Sequence, residues 1–309
     1  MRRPSIEKVK PTVATHFPSL SRGPDINLNV HMFTQDVQMA VMPIGGRAEK
    51  HKEFAITLEG DDKERERAEQ LIGEIARYDR HDVTGVVCDA VEEIARHLAW
   101  EGRAVYELIR GDSGSQHIWG FTSQGLWRLP GYFLQIIPRG DWNTWKRKFV
   151  IVPASRIWYL ELPTALGGRR GHKNILRRLR RFERPGPEFW RKDLERGVQT
   201  AGFDFQRYAR NTDIYLGKVS KRWGWNRRDW SQERCTEFFT FYKMIRFSWA
   251  KATLREHIID ELNKLFARLG IKCALKVTGL PTPADILKTN NELSEGRITF
   301  GAASDRVRL

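Results

Sequence analysis

Apolar side chains recur at helical spacing in two consecutive stretches of the chain. In the stretch that begins at Asp61 they are Ala68, Leu71, Ile72 and Ile75. In the stretch from Thr84 to Trp100 they are Val87, Ala90, Val91, Ile94 and Leu98. A stripe with this period is typical of an amphipathic helix whose apolar face packs on a core. The sequence therefore predicts two packed helices, the first capped by Asp61 or Asp62.

The pattern changes period after these helices. Residues 102–163 hold short β-branched and aromatic runs, separated by the turn-forming stretches GDSG, LPG and PRGDWN. This arrangement predicts an antiparallel β meander. Residues 1–60 show scattered Pro and Gly and no sustained period. They predict an N-terminal arm with one or two short strands.

The C-terminal part of the chain alternates between helix and strand. A long helical region closes at Gly270. Residues 271–277 then alternate apolar and polar side chains, as in a half-buried strand. The following helix has Thr282 as its N-cap and Pro283 at its first position. Long helices combined with an antiparallel meander predict an α+β fold.

The positive charge of the chain is concentrated in one segment. The 309 residues carry a formal net charge of +15 at pH 7. Residues 166–234 contain 19 Arg and Lys against 8 Asp and Glu, so this segment alone holds a net charge of +11. Such localisation favours a binding surface for a polyanion, usually nucleic acid, over a uniformly charged soluble surface.

The first part of this segment, LGGRRGHKNILRRLRRFER, predicts an amphipathic basic helix. Ile175, Leu176, Leu179 and Phe182 share one face, and Pro185 ends the helix. Acidic partners one turn away are nearly absent. Two interpretations remain open: contact with phosphates, which we favour, or an ordinary solvated face. The cations assigned to DNA binding are Arg169, Arg170, Lys173, Arg177, Arg178, Arg180 and Arg181.

A second cluster, KVSKRWGWNRRDW, interleaves Trp with Arg and Lys. Aromatic side chains among cations can stack unpaired bases. Trp and Arg are also the residues enriched at the centres of protein interfaces. We favour an interface or core role over base stacking for Trp223, Trp225 and Trp230.

Candidate catalytic groups are sparse. No Gly-rich loop precedes a Lys as a phosphate-binding loop requires, and no His pair has metal-ligand spacing. Asp61, Asp62, Glu64 and Glu66 could hold a divalent ion for hydrolysis, but they alternate with Lys and Arg as in a salt-bridged helix start. We therefore predict no catalytic residue, metal or cofactor. The alternative is a metal-dependent nucleic-acid enzyme that uses these carboxylates, or a monomeric nucleic-acid-binding protein.

Membrane-span, signal-peptide and cysteine patterns further limit the class of protein to which the chain is expected to belong. No apolar run approaches the ~20 residues that span a bilayer, and no apolar segment follows the N-terminal arginines as in a signal peptide. The three scattered cysteines predict free thiols in a reducing compartment.

Several of these segments, taken in order, resemble the portal proteins of tailed bacteriophages. HLAWEGRAVYELIRG is similar to that family's helix and Gly-Asn-Ala-Tyr strand. Gly102, Ala104 and Tyr106 match, with Arg103 in place of the Asn and Val105 as an extra residue before the Tyr. IPRGDW and VPASRIWYLELP resemble the meander that follows. GRRGHKNILRRL resembles a Gly-x-Ser-Pro-Leu helix start, through Gly171 and Leu176.

The strongest similarity lies in LREHIIDELNKLFARLGIKCALKVTGLPTPADILKTNNELSEGRIT. It resembles the family's helix, strand, Pro-Asp turn, second helix and Gly-x-Ile-Thr sequence. After Thr299 the family has Asn-Glu-x-Arg, where this chain has Phe300–Ser304. The resemblance is therefore to a short or divergent member.

The resemblance implies a fold and an assembly. The subunit would be elongated, with an N-terminal arm (1–60), a wing-like helix pair and meander (61–165), a basic stem- or clip-like helical segment (166–270) and a strand–helix C-terminal segment (271–309). The copies would form an oligomeric ring, expected to be a dodecamer. In that ring Trp223, Trp225 and Trp230 would anchor the subunit interface.

The resemblance also implies a function without catalysis. The ring would conduct DNA at one capsid vertex during genome packaging and ejection. Its partners would be double-stranded DNA, bound independently of sequence, and the capsid, packaging-motor and head–tail connector proteins, with no membrane. It would assemble in the host cytoplasm and reside in the virion.

Overall fold

The computed structural model describes residues 10–21, 27–39, 41–43, 53–77, 82–111, 115–182, 214–225 and 237–307. The chain forms two compact units, each built from three separated stretches. Unit 1 contains Met1–Pro24, Gln38–Leu162 and Arg255–Leu280, and unit 2 contains Asp25–Val37, Pro163–Leu254 and Pro281–Leu309. Helices and antiparallel strands occur together, as expected for an α+β protein. The division into four segments stays a prediction.

The helices and strands are numbered here in chain order. The helices are α1 (Pro18–Ser21), α2 (Leu28–Gln38), α3 (Asp62–Ile75), α4 (Val83–Glu101), α5 (Trp142–Trp145), α6 (Gly168–Phe182), α7 (Glu237–Arg268), α8 (Pro283–Ser294) and α9 (Phe300–Val307). Residues 214–219 are also helical. The strands are β1 (Ala55–Glu59), β2 (Arg103–Arg110), β3 (Gln116–Gly120), β4 (Leu126–Leu129), β5 (Tyr132–Ile136), β6 (Phe149–Pro153), β7 (Ile157–Glu161) and β8 (Ala274–Thr278).

Unit 1 contains the predicted antiparallel strands, but they form two sheets. β4, β5 and β6 make a three-stranded meander, whereas β7 returns to pair with β2 in a sheet of order β3-β2-β7. β2 is buried along most of its length, and α3 packs on β3 while α4 packs on β2. A strand buried in this way needs a partner on both edges to satisfy its backbone, and β3 and β7 supply them. β1 pairs separately with β8.

The inner face of the β4-β5-β6 sheet forms a core with the N-terminal stretch. Val13, Ala14 and Phe17 pack there against Phe133 and Val152. The stretch is also held by polar contacts. The buried side-chain amide of Gln135 accepts a hydrogen bond from the Ala14 N–H at 2.8 Å and donates one to the Ala14 carbonyl at 2.9 Å.

The outer face of the same sheet is apolar and exposed. Five large apolar side chains point outward, with exposed fractions from 41% to 61%: Trp127, Tyr132, Ile136, Phe149 and Ile151. The strand register makes them contiguous, because Trp127 and Ile151 flank Leu134 in one cross-strand row and Ile136 lies opposite Phe149 in another. We call these five residues the apolar sheet face. The outward positions of the three strands carry no charged residue.

Three predicted helices are confirmed with their caps or bounds. The Asp61 carboxylate caps α3 by accepting a hydrogen bond from the Glu64 N–H at 2.8 Å. α4 covers the stretch predicted from Thr84 to Trp100 and adds one residue at each end. Thr282 caps α8, and its hydroxyl accepts from the Asp285 N–H at 3.2 Å in a capping box.

The sequence pattern predicted neither of the two helices, α1 and α2, that the structure describes within residues 1–60. β1 is a short strand of the expected kind, but α2 is a helix of 11 residues. Its buried side chains include Val30, Phe33 and Val37, and the Asn27 side chain accepts a hydrogen bond from the Val30 N–H at 3.0 Å. Three apolar positions on one stripe give only a weak periodic signal, which explains why the sequence pattern missed it.

In unit 2, α8 and α9 pack against the first part of α7. The buried side chains of this cluster are Ile245, Ala252, Ile286, Leu293, Ala303 and Val307. Among the described residues, no helix is both long enough and apolar enough to cross a bilayer.

Candidate nucleic-acid interface

The basic helix α6 has one buried and one charged side. His172, Ile175, Leu176 and Leu179 are buried. Arg170, Lys173, Arg177 and Arg180 are exposed, and they recur at i, i+3, i+7 and i+10, which places them on one face of the helix. We call these four residues the cationic stripe. It extends over about 15 Å of helix.

The other predicted DNA-binding cations lie elsewhere on α6. Arg169 and Arg178 are half-buried. The Arg178 guanidinium lies over the Tyr215 ring, 5.6 Å from the ring centroid. Arg181 belongs to α6, but its side chain lies outside the described residues. Of the six predicted cations whose side chains the structure describes, four are exposed to solvent.

The charge of α6 does not stabilise the helix itself. α6 contains seven Arg and Lys and no Asp or Glu, and its first turn holds no acidic residue. The N-terminus of a helix carries partial positive charge, so Arg169 and Arg170 are unfavourable there. Like charges at i and i+3 or i+4 also repel. An anion bound along this face would relieve both effects.

The tryptophans of the second basic cluster are core residues where the structure describes them. Trp223 is 0% and Trp225 is 2% exposed. Their rings pack edge-on against Phe33, with centroids 5.7 and 5.3 Å away. Trp225 Nε1 also donates a hydrogen bond to Asp36 Oδ2 at 2.8 Å. This burial corrects the expectation that Trp223 and Trp225 are available to a neighbouring subunit, and Trp230 lies outside the described residues.

A pocket of about 560 Å³ lies at the start of α6, within unit 2. Its basic side chains are Lys218, Lys221, Arg222 and Arg246. Gly167, just before α6, and Gly171, within it, line another side. We call it the α6 pocket. The basic cluster in the sequence contained Lys218, Lys221 and Arg222, but no pattern connected them with Arg246, which comes from α7.

Three of the four carboxylates considered for metal binding are engaged at the start of α3. Asp61 caps the helix, Asp62 pairs with Arg65, and Glu64 pairs with Arg67 at 2.8 Å. The Lys272 N–H donates to Glu64 at 2.9 Å, and this bond, together with that from Arg67, lowers the pKa of Glu64. The favoured salt-bridged helix start is therefore confirmed. Among the described residues, no three His, Cys, Asp or Glu side chains cluster closely enough to hold a metal ion.

Comparison with known proteins does not assign the chain to a family. No protein-family model matches the chain, and no curated protein is significantly similar to it.

Proposed function

We propose that this chain is a subunit of a portal-like ring that conducts double-stranded DNA without catalysis. The observation that carries the proposal is the cationic stripe of α6. The ring, its elongated subunits, its place at a capsid vertex in the virion, and its capsid, motor and connector partners are the parts of the proposal that rest on the resemblance to phage portal proteins.

The stripe supports contact with phosphates and argues against reading of bases. Arg and Lys contacts to phosphate position a protein on DNA without sequence information. Direct readout needs side chains that enter a groove and match the pattern of base edges. The stripe presents Arg170, Lys173, Arg177 and Arg180 along one side of a helix with no acidic residue, so its attraction to DNA is electrostatic and independent of sequence.

The apolar sheet face supports assembly with further copies. By the size of such side chains its exposed area is on the order of 500 Å², near the upper end for a patch on a monomeric protein. A specific interface buries about 800 Å² on each partner. The face therefore has the size and chemistry of the apolar centre of a subunit contact. In a closed ring it would meet a different surface of the next copy.

A metal-dependent nuclease is the less supported function. Asp61, Asp62 and Glu64 cap the helix or pair with cations in the same turn. A hydrolytic site needs carboxylates free to bind the metal and leave positions open for water and substrate.

The test removes two charges from the stripe. Replacing Arg177 and Arg180 with Gln keeps helix propensity, and both side chains are exposed, so the helix content should not change. Affinity for duplexes of unrelated sequence should fall by the same factor for each duplex. The slope of log affinity against log salt should become shallower by about 0.9 for each phosphate that the variant no longer neutralises. Fluorescence anisotropy titrations at several salt concentrations measure both quantities.

The matched control replaces Lys272 and Lys288 with Gln. Both are exposed cations outside α6, so the net charge changes equally while the stripe stays intact. The control should leave the salt slope unchanged. A slope equally unchanged in the Arg177 and Arg180 variant would refute the phosphate role of the stripe, and a loss of affinity confined to certain duplexes would indicate base readout.

A further inference from the structure

The α6 pocket gathers cations from separate elements of unit 2. Lys218 comes from the helical residues 214–219, Lys221 and Arg222 from the turn that follows, and Arg246 from α7. Among the described residues that line the pocket there is no Asp or Glu. Cations that converge without carboxylates repel one another, and their repulsion falls when an anion binds between them.

The turn that carries Lys221 and Arg222 is held by the residues around it. Trp223 and Trp225 anchor it in the core against Phe33. The Ser220 hydroxyl is 2.8 Å from the carbonyl oxygen of Trp225 and donates to it. Gly224 has a φ of 75°, and a Cβ there would lie 2.6 Å from the Lys243 carbonyl oxygen. Because the turn is fixed by packing, the backbone that carries its two cations is in place before any ligand binds.

Arg246 is oriented by contacts of its own, and the Arg222 guanidinium lies beside residue 167. Arg246 Nε donates to the Arg222 carbonyl at 3.1 Å, and its guanidinium lies 4.0 Å from the centroid of the Trp249 ring. A Cβ on Gly167 would lie 2.9 Å from Arg222 Nη1. The absence of a side chain at residue 167 therefore lets the Arg222 guanidinium approach the start of α6.

The pocket is open on its glycine side. A Cβ on Gly171 would meet no atom within 4 Å, so the helix backbone is accessible there. The remaining wall of the pocket is apolar and aromatic, and is formed by Leu166, Ile175, Val219 and Tyr242. Pockets for small ligands combine such walls with a few converging polar groups, over roughly 300 to 1,000 Å³.

We propose that the α6 pocket binds a phosphate group, seated between Lys218, Lys221, Arg222 and Arg246. Guanidinium and ammonium groups are the side chains that bind phosphate most strongly. The phosphate can belong to a small ligand such as a nucleoside diphosphate or to a nucleic-acid backbone. This site is separate from the cationic stripe and does not require the portal-like function.

The test places a carboxylate in the pocket without disturbing the fold. Gly171→Glu has space for its side chain and replaces a helix-disfavouring residue with a better one. Gly171→Ala supplies the same backbone change without charge. Asn174→Glu adds the same charge to an exposed position of α6 that does not line the pocket. Circular dichroism should show the same helix content in all three variants.

The probes are inorganic pyrophosphate, ADP and a short duplex. Calorimetric titration should show pyrophosphate and ADP binding to the wild type, Gly171→Ala and Asn174→Glu with affinities that agree within about twofold. Gly171→Glu should bind both at least about tenfold more weakly, as expected when a charge-assisted hydrogen bond is removed. Replacing Lys221 and Arg222 with Gln should weaken binding in the same direction.

The outcomes show whether the phosphate comes from a small ligand or from nucleic acid, and one of them would refute the proposal. If neither small probe binds, but duplex affinity falls more in Gly171→Glu than in Asn174→Glu, the phosphate comes from a nucleic-acid backbone. If no probe distinguishes Gly171→Glu from Asn174→Glu, the pocket is not a phosphate site. The Arg177 and Arg180 variant, which tests the cationic stripe, should bind pyrophosphate as the wild type does, so the two proposals can fail independently.

Discussion

At the scale of single residues, α4 carries a carboxylate whose pKa is strongly lowered, that of Glu93. Burial alone would raise the pKa of Glu93, but hydrogen bonds from Arg96 and His97 outweigh it and lower the pKa from 4.5 to about 2. Arg96 Nε donates to Glu93 Oε2 at 2.8 Å, and His97 Nε2 lies 3.4 Å from Glu93 Oε1. The ionised form of Glu93 therefore stabilises the folded state.

Glu93→Gln should destabilise the protein in a pH-dependent way. The folded pKa lies below the unfolded value, so the stabilisation is present above about pH 4.5 and is lost as the pH falls towards 2. We expect the free energy of unfolding at pH 7 to fall by roughly 2 to 3 kcal/mol. The difference from the wild type should shrink steadily as the pH is lowered from about 5 to about 3. Urea denaturation across this range measures it.

The exposed pair of Glu295 and Arg297 provides the comparison. Both side chains are more than half exposed, and pairs of this kind contribute about 0 to 1 kcal/mol. Glu295→Gln should therefore change stability little at any pH. A pH-independent effect of Glu93→Gln would mean that packing, and not charge, is lost.

At the scale of elements, the start of α8 depends on its capping box. The Thr282 hydroxyl accepts from the Asp285 N–H at 3.2 Å, and the Thr282 N–H donates to Asp285 Oδ2 at 3.0 Å. Hydrogen bonds from the Thr282 side chain and backbone lower the pKa of Asp285. The backbone N–H groups of Thr282 and Asp285 have no acceptor in the helical hydrogen-bond pattern. They are thus satisfied by side chains within four residues.

Thr282→Ala should loosen α8 more than it affects the rest of the chain. Loss of an N-cap side chain costs about 1 kcal/mol, and Pro283 still fixes the backbone at the first helical position. Amide hydrogen exchange should accelerate in Asp285–Ser294 while α3 and α4 keep their protection. Thr282→Ser retains the hydroxyl and should behave like the wild type. Equal exchange in the Ala and Ser variants would show that the cap contributes nothing.

At the scale of the whole molecule, the apolar sheet face is a contiguous set of exposed apolar side chains among the described residues. Its inner counterparts, Phe133, Val150 and Val152, are at most 6% exposed, so one side of the sheet already packs into a core within unit 1. Apolar side chains on both sides of a sheet are typical of a sheet that is covered on both sides.

Phe149→Lys combined with Ile151→Lys should dissociate the proposed ring into folded subunits. Both side chains are more than half exposed, so the substitutions should leave the secondary structure of one subunit unchanged. They would bury charge in a subunit contact, which is strongly unfavourable. Multi-angle light scattering over a wide concentration range measures the mass. Leu287→Lys on α8, also exposed, is the control and should keep the wild-type mass. A wild type that stays monomeric throughout would contradict the ring.

The sequence by itself determined features whose causes lie within a few residues. The caps at Asp61 and Thr282 and the bounds of α4 follow from contacts one turn apart, and the amphipathic character of α6 follows from its period. The pattern could not tell which of the seven cations face solvent, because that depends on what α6 packs against. His172 is buried near Phe33 and Trp223.

Only the tertiary structure decided the features that join distant parts of the chain. Trp225 is fixed by Asp36, 189 residues away, and Gln135 holds Ala14 across 121 residues. β7 pairs with β2 and leaves the β4-β5-β6 sheet as a separate layer. Arg246 meets Lys221 and Arg222 in one pocket. Periodicity records which side of an element is apolar, but the choice of partner depends on packing across the whole fold, which no local pattern contains.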